Sequence, residues 1–574
     1  MKNQEIANIF YEIGDYLKME EIDFKPYAYQ KAAIVLDTLQ EDVKEIYEKG
    51  GLKGLEEIPG VGKSIAEKIE EYLKTGKVKY YEQLKKKVPI DLEEITAVEG
   101  MGPRRAKILY QELKIRNLKD LEKKAKAGKI ASLFGFGEKT EKNILEGIKF
   151  LKRSKGRFLL GEILPQAKEI VEKLSELKEV EQISLAGSVR RMKKTIGDVD
   201  ILVAAKNPQK VMDFFVSLPG VVKIWGKGTT KSSVRMKEGF GVDVRVVAKK
   251  SYGSALQYFT GSKEHNIITR RLAIDKGLKL NEYGIFKGKK MIAGWREEGV
   301  YRAIGLPWIE PELRENQGEI ETAISGKLPK IIDYQAIKGD LHTHSNWDGG
   351  INSIEEMAEV AKTLGYEYLG ISDHTKFLRI ERGLDEKQLA QQREEIDKLN
   401  EKFEAQGLKL RLLQGAETNI LKDGSIDIKE EALKKLDYAI CGVHSSFKME
   451  RIKMTERIIR AMKNPYIKIL SHPTGRILKK RDEYQVDFDK LLRAAKEFGV
   501  ALEINSFPQR LDLNDKNIRR AKEAGVKMVI NTDAHHRDHL RFMELGIAQA
   551  RRGWAEKKDI INAQSLNKLL KFLK

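Results

Sequence analysis

Eight of the nine histidines in this chain fall between positions 342 and 539, and most arrive beside a second metal-binding residue type. They occur as His342-Thr343-His344, Asp373-His374, Val443-His444-Ser445, Ser471-His472-Pro473 and Thr532-Asp533-Ala534-His535. Short apolar runs precede them, at 368–372, 438–442, 467–470 and 526–530, and helix-like stretches such as 353–364 and 487–498 lie between. The repeated order of strand, polar turn and helix restricts this segment to a parallel α/β architecture. In a barrel of that kind, groups at successive C-terminal strand ends meet in one place. His342 and His344, at i and i+2, leave the same face of a strand, which suits a shared ion. A single such histidine is ordinarily a surface or satisfied core residue, but the whole set reads as a metal centre. The one cysteine, Cys441, excludes an intramolecular disulfide or a cysteine cluster, so the ligands are imidazoles and carboxylates.

From about Lys338 to the C-terminus the chain resembles the PHP (polymerase and histidinol phosphatase) family, a distorted (β/α)7 barrel that holds up to three metal ions. The resemblance implies His342, His344, Glu417 and Asp533 around one ion and Glu417, His444 and His472 around a second, with Glu417 bridging. His374 and His535 would hold the third. The family generally has Ser-Asp-Gly where this chain reads Asp348-Gly349-Gly350, so that carboxylate is displaced by one position. The glycine-flanked turn is permissive enough to swing it back, and Asp348 is expected as the remaining ligand of the third ion.

A chain of 574 residues exceeds a single core, and its net charge of +20 points to a polyanionic partner. Nucleic acid is favoured over a membrane, because no apolar run reaches spanning length and the N-terminus opens a polar helix. A cytoplasmic location is expected. Three segments in the first third repeat the pattern apolar, Gly, apolar, Gly, helix: Ile58 to Ala66 with Gly60 and Gly62, Val98 to Ala106 with Gly100 and Gly102, and Leu133 to Lys139 with Gly135 and Gly137. Glycines at both hairpin positions allow close approach, and the following helix N-terminus offers N–H groups to a phosphate. The three look like helix-hairpin-helix motifs, which grip a DNA backbone without reading its sequence. Gly62-Lys63-Ser64 is not a P-loop, since the required first glycine falls at Glu57.

In the middle third, Gly187-Ser188-Val189-Arg190-Arg191 precedes Asp198-Val199-Asp200, and Asp243 lies in a later apolar strand. Strand alternation puts Asp198 and Asp200 on one face, and three carboxylates aimed at one point suit two Mg2+ ions for phosphoryl transfer. The competing reading is an edge strand with solvated aspartates. Together with Tyr258-Phe259-Thr260-Gly261-Ser262, Asn266 and Arg270, residues 1 to about 320 resemble family X DNA polymerases. The resemblance implies catalytic metals on Asp198, Asp200 and Asp243, and an incoming triphosphate on Gly187, Ser188 and Arg191. Tyr258, Phe259 and Gly261 would border the sugar, Asn266 the base edge and Arg270 the template side. Family X lyase domains carry a lysine at the position of Lys68, with Tyr29 and Lys31 matching their phosphate pocket; the other reading of Lys68 is a solvated helix-edge residue.

The expected organisation is multidomain: a helical lyase-like domain with the first hairpin (1–80), a helix-hairpin-helix domain (81–155), an α+β nucleotidyltransferase palm (156–250), a thumb (251–324), a linker (325–337) and the barrel (338–574). The expected function is filling of short gaps in DNA repair, with a barrel acting as 3'-5' exonuclease and as a candidate abasic-site endonuclease. Alternatives are an RNA-end nucleotidyltransferase with a PHP phosphatase and a DNA-end-bridging scaffold with degenerate sites. Gapped or nicked double-stranded DNA and dNTPs are the expected partners, Mg2+ the palm cofactor, Mn2+ or Zn2+ the barrel cofactor, and a monomer the expected state.

Overall fold

In the computed structural model the described residues are 2–574 apart from 21, 23, 40, 97, 99, 100 and 155. Among the described residues up to Ser154 the regular structure is helical, from Lys2–Met19 to Glu138–Ser154, with one core built from Ile6, Phe10, Ile13 and Leu17 against Ile69, Ile95, Leu109 and Leu121. The sequence repeat is a structural repeat. Val61 donates to the Ile58 carbonyl at 2.9 Å, Met101 to Val98 at 3.0 Å and Phe136 to Leu133 at 3.0 Å. Each turn runs into a helix whose first carbonyl acceptor is Gly62, Gly102 or Gly137. Gly60, Gly135 and Gly137 adopt left-handed backbone angles (φ 78°, 80° and 108°) that a side chain would oppose. Gly100 lies outside the described residues.

The next unit is a five-stranded sheet: β1 (Val180–Leu185), β2 (Asp198–Ala205), β3 (Val221–Lys227), β4 (Lys231–Met236) and β5 (Gly241–Val247), in the order β1-β2-β5-β4-β3. β2 and β5 run parallel with Asp200 opposite Asp243. The valines and isoleucines between the aspartates, Val199, Ile201, Val203, Val242 and Val244, pack on the helices Leu160–Ser175 and Pro208–Val216. One apolar face therefore holds the sheet while the other presents the carboxylates. Helices Tyr252–Thr260 and Lys263–Asp275 follow, then a small antiparallel sheet of β6 (Lys279–Asn281), β7 (Gly284–Lys287) and β8 (Lys290–Ala293).

The C-terminal unit contains β9 (Gly339–Thr343), β10 (Tyr368–Ile371), β11 (Arg411–Gln414), β12 (Glu417–Asn419), β13 (Ala439–Gly442), β14 (Ile467–Leu470), β15 (Ala501–Asn505) and β16 (Met528–Asn531), all parallel. Bridges Thr343 to Ala534 and His374 to Glu417 join the two sheets into a barrel. Because β11 and β12 are halves of one strand interrupted at Gly415-Ala416, there are seven strand positions, each followed by a helix. Inside, Leu341, Leu413, Ile440, Ile469, Ala501 and Val529 form an apolar floor closed by Leu569 and Leu573 of the last helix. The polar groups collect above that floor.

The 325–337 segment is not a free linker. Ile332 donates to the Ala555 carbonyl at 2.8 Å, and Ile332, Ala336 and Ile337 are buried in the barrel core, because these apolar side chains gain by leaving water. Palm and barrel also share a core, in which Leu478, Leu511, Leu545 and Ala548 pack with the palm cluster. No helix among the described residues is long and apolar enough to cross a membrane.

Two candidate metal centres and a hairpin array

The palm face is open. Asp198 is exposed, and Asp200 and Asp243 are half-buried side by side on adjacent strands. Burial, and then the neighbouring Asp198 and Asp243, raise the Asp200 pKa to about 6. Lys231 Nζ lies 2.9 Å from Asp243 Oδ2 and offsets part of the repulsion. Three carboxylates that destabilise one another are a ready site for divalent cations. Gly187 packs against them: its φ is 60°, and a Cβ there would stand 2.2 Å from Asp200 Oδ2, so the Gly187-Ser188 turn touches the carboxylates only as glycine.

Arg191, expected at the triphosphate, is also tied to protein groups. Its Nε donates to Glu315 Oε1 at 2.9 Å and its Nη1 donates to the Thr260 carbonyl. Arg552, from a barrel helix, donates to the Arg191 carbonyl at 2.8 Å and to Glu315 at 3.1 Å, while its other nitrogen meets Asp515 at 2.6 Å. Arg190, the next residue back, grips Glu297 at 2.9 and 2.8 Å. Asn266 is buried, donating to the Tyr258 carbonyl at 2.7 Å and accepting from Gln257 at 2.8 Å, so its amide orders the Tyr258-Phe259 turn. The guanidinium of Arg270 lies 4.9 Å from the Tyr258 ring centre and that of Arg245 4.6 Å from Phe259. Gly261 comes close to Arg191, and Ser262 caps the following helix by accepting from His265.

The barrel centre is enclosed. Glu417 stands in the middle, with Oε2 3.2 Å from His342 Nε2 and 3.0 Å from His374 Nδ1, and Oε1 3.2 Å from His444 Nε2 and 3.0 Å from His472 Nε2. Asp533 Oδ1 lies 3.6 Å from His342 Nε2 and 3.4 Å from His344 Nε2. The His535 ring stacks on His344 at 4.0 Å and, with His374, completes a third group of donor atoms. His342 Nε2, His344 Nε2, His374 Nδ1 and His444 Nε2 are buried without a hydrogen-bond partner among the described residues. Buried imidazole nitrogens left unbonded, all aimed at two carboxylates, fit divalent cations. Burial favours a neutral Glu417, but His342, His444 and His374 outweigh it and hold the carboxyl well below its usual range. His472 (φ 29°) and Asp533 (φ 55°) carry backbone angles unfavourable for residues with side chains, the kind of strain that collects at functional sites. Gly442 makes room: a Cβ there would meet Ser471 Oγ at 2.6 Å and His444 Cε1 at 2.7 Å.

Asp348, expected as a ligand of the third ion, sits against the histidines of that site. Its Oδ2 lies 2.8 Å from His344 Nδ1 and accepts the His374 N–H at 2.8 Å, while Oδ1 accepts from Gly350 at 2.8 Å. Both of its oxygens are engaged by protein groups; Asp348 clusters with His344 and Asp373 as potential metal donors, and His344 clusters also with His374 and His535. The turn brings the carboxylate to His344 Nδ1, while Asp533 faces the other ring nitrogen.

In the helical region, Lys68 Nζ lies 5.9 and 5.4 Å from the ring centres of Tyr29 and Tyr80 and 3.0 Å from Ser64 Oγ. Burial, aided by Lys25, lowers its pKa despite Glu67 and Glu71. Lys31 is also lowered by burial, and its stem packs under Gly60.

Four family profiles match this chain: a helix-hairpin-helix domain over residues 1–78, a SAM-like helix-hairpin-helix tandem over 92–149, the DNA polymerase beta thumb over 255–315 and the PHP domain over 340–507. The sequence is also 36% identical over 579 positions, covering 100% of both chains, to the DNA polymerase/3'-5' exonuclease PolX of Bacillus subtilis (strain 168). The chain belongs to the family X DNA polymerases that carry a PHP domain. The PHP part alone is similar to a probable phosphatase of Thermoanaerobacter sp. (strain X514), 34% identical over 174 residues, or 29% of this chain and 64% of that one. A ternary primer–template complex of Leishmania infantum polymerase beta aligns with 39% of this chain and 97% of its own, at 27% identity and a TM-score of 0.26.

In this family X polymerase, sequence reasoning missed the residues that stand behind the metal donors. Glu503 lies 2.7 Å from His342 Nδ1 and accepts the His472 N–H at 2.8 Å; Asn419 lies 2.7 Å from His444 Nδ1; Asn531 and Asn505 donate to Glu503. Such partners fix the tautomer that leaves the other ring nitrogen free for metal. Glu503 and Asn505 alternate within an apolar strand, which was a legible signal. Arg510, 3.2 Å from Asp533, lines the cleft that opens onto His535 together with Ile477, Phe507 and Gln509, and nothing in its sequence context marks it.

Proposed function

We propose that this polymerase fills short gaps in cytoplasmic DNA repair with deoxynucleotides and that its barrel removes nucleotides from 3' ends. The carrying observation is the register that sets Asp200 opposite Asp243 with Asp198 on the same face. Divalent ions, Mg2+ in the palm and Mn2+ or Zn2+ in the barrel, would supply charge neutralisation at phosphorus and activation of the attacking oxygen. The chain's own residues do the rest. Asp198, Asp200 and Asp243 gather the negative charge that recruits cations, and Gly187, packed against Asp200, and Ser188 would offer donors to the triphosphate. Arg191, tied to Glu315, acts through the shape of that turn. In the barrel, His342, His344, Glu417, His444, His472, Asp533, His374 and His535 are the donor set, and Glu503 and Asp348 hold the rings. The hairpin helices hold the duplex by its phosphates through Gly60, Gly62, Gly102, Gly135 and Gly137. The test is extension and degradation of a primer in gapped DNA, with Mg2+ and Mn2+ compared; absence of both activities in the folded protein would overturn the reading.

The environment of Lys68 favours a second activity. A partly buried amine with a lowered pKa, between two aromatic rings, suits attack on the aldehyde of an abasic sugar to form a Schiff base with loss of water. Borohydride should trap the parent protein on a 5'-terminal abasic sugar and trap Lys68→Ala at no more than a few per cent of that yield (about a 20-fold loss); equal trapping assigns Lys68 to the helix edge.

A further inference from the structure

β3 is an edge strand, and it carries an indole where a water-facing palm strand has no structural use for one. Trp225 is 52% exposed. The pairing of β3 with β4 is irregular between Ile224 and Gly226, which leaves Trp225 as the bulged residue, and bulges beside active sites re-aim a side chain. Here the bulge lays the ring across the carboxylate face. A Cβ built on Gly241 would lie 3.3 Å from Trp225 Cζ3 and 3.9 Å from Asp198 Cβ, and Gly241 is the register partner of Asp198. The indole thus begins where the carboxylate cluster ends. Arg235, exposed and paired with Gly241 across β4 and β5, places its guanidinium 5.8 Å from the Trp225 ring centre. Lys223, also exposed, is the neighbour of Arg235 across the β3–β4 pair.

The direction of the reaction says what would occupy this surface. Nucleotide addition forms a bond from the primer 3'-oxygen to the α-phosphorus, breaks the bond to pyrophosphate and gives up the hydroxyl proton. The attacking and leaving oxygens stand roughly in line. The leaving pyrophosphate belongs on the Gly187-Ser188 turn, at the β1–β2 side of Asp200. The attacking oxygen must then come from the opposite side of the carboxylates, over β5, β4 and β3. The strand that brings it runs over Gly241, Arg235 and Trp225.

We propose that Trp225 and Arg235 form the seat of the primer's 3'-terminal nucleotide, the indole supporting its base or sugar and the guanidinium its phosphate; this rests on the polymerase reading above. An aromatic face accepts any base, so the seat is indifferent to sequence, while the cation adds one phosphate contact. Gly241, lacking a side chain, is then the residue that leaves room for the ring beside Asp198.

The test uses the full chain with a primer–template carrying 2-aminopurine at the primer 3' end. Stacking on the indole quenches the probe on binding, with or without turnover. Trp225→Ala should abolish that quench and raise the KM for primed DNA about tenfold, with the KM for dNTP within about twofold of the parent. Trp225→Phe should restore most of both, which a loss of sheet structure would not allow. Arg235→Ala should weaken DNA binding for all sequences alike and lower the salt-dependence slope by about one. An unchanged quench and unchanged KM for DNA in Trp225→Ala overturn the proposal, as does a Trp225-dependent quench seen only when the probe sits in the template strand. If the parent protein does not extend primers at all, the polymerase reading fails, and the quench still decides whether the primer end sits on Trp225.

Discussion

The palm and the barrel each gather carboxylates for divalent cations, yet one site is open and the other sealed. In the palm three aspartates stand on a sheet face beside Lys231, with water within reach and no imidazole. In the barrel almost every donor is buried, and His342, His344 and His444 each keep one nitrogen on a second residue. The difference teaches what each site asks of its metal. An open oxygen-only site suits ions that come and go with a charged substrate, whereas a closed, pre-oriented nitrogen and oxygen site suits ions that stay.

The sharpest way to break the comparison is to remove one centre at a time. Glu417→Ala takes the central carboxylate from the barrel and should lower end degradation by at least about 10³-fold, with primer extension retained. Asp198→Ala should do the reverse to a similar extent. Loss of both activities in either folded variant would show that the centres are not separate.

A smaller effect tests the claim that the barrel donors are held from behind. Asp348→Asn keeps the size of the side chain but removes the charge that fixes His344, and should cost about 10–100-fold in metal affinity or degradation rate. Full metal content with full activity would mean that His344 needs no such support.

Burial of Asp200 beside two further carboxylates predicts a penalty in the metal-free protein. Asp200 has its pKa raised to about 6, mainly by burial and then by its two neighbours. A carboxyl raised in the folded state favours folding most below its unfolded value of about 4, and that advantage is lost as pH rises through about 6. At pH 7.5 Asp200→Asn should therefore raise the melting temperature of the metal-free protein by a few degrees (roughly 2–4 °C). The gain should vanish near pH 4. A variant less stable than the parent at pH 7.5 would show that the carboxylate is stabilised there, contrary to its position among like charges.

The smallest effect crosses between the two regions. Arg552 reaches from the barrel to the Arg191 carbonyl and to Glu315. Arg552→Ala should raise the KM for dNTP several-fold, roughly 3–10-fold, with little change in the rate of end degradation. An unchanged KM would mean that the palm turn keeps its shape without the barrel.

Much of the candidate machinery was legible because its chemistry is local. Asp198 and Asp200 share a face by strand alternation, His342 and His344 by the same rule, and the hairpins repeat a glycine spacing that the turns obey residue for residue. Other placements were decided by contacts that the motifs do not spell out. The glycine-flanked turn at 348–350 was read as free to deliver Asp348 to a metal. In the structure it meets His344 Nδ1, four residues back, and the His374 N–H, 26 residues on. The 325–337 segment was read as a linker, though its isoleucines dock on the barrel.

The sequence by itself determined the residue types and periodicities: a repeated order of strand, polar turn and helix with metal-binding side chains at the strand ends, an Asp-x-Asp strand, and three glycine-spaced turns. Tertiary structure alone decided which donors share an ion, because Glu417 meets histidines from four different strand ends only when the barrel closes. It also decided that Arg191 is clamped by Glu315 and Arg552 and that Trp225 lies beside Asp198. Periodicity fixes the face a side chain leaves by; only packing fixes what stands opposite.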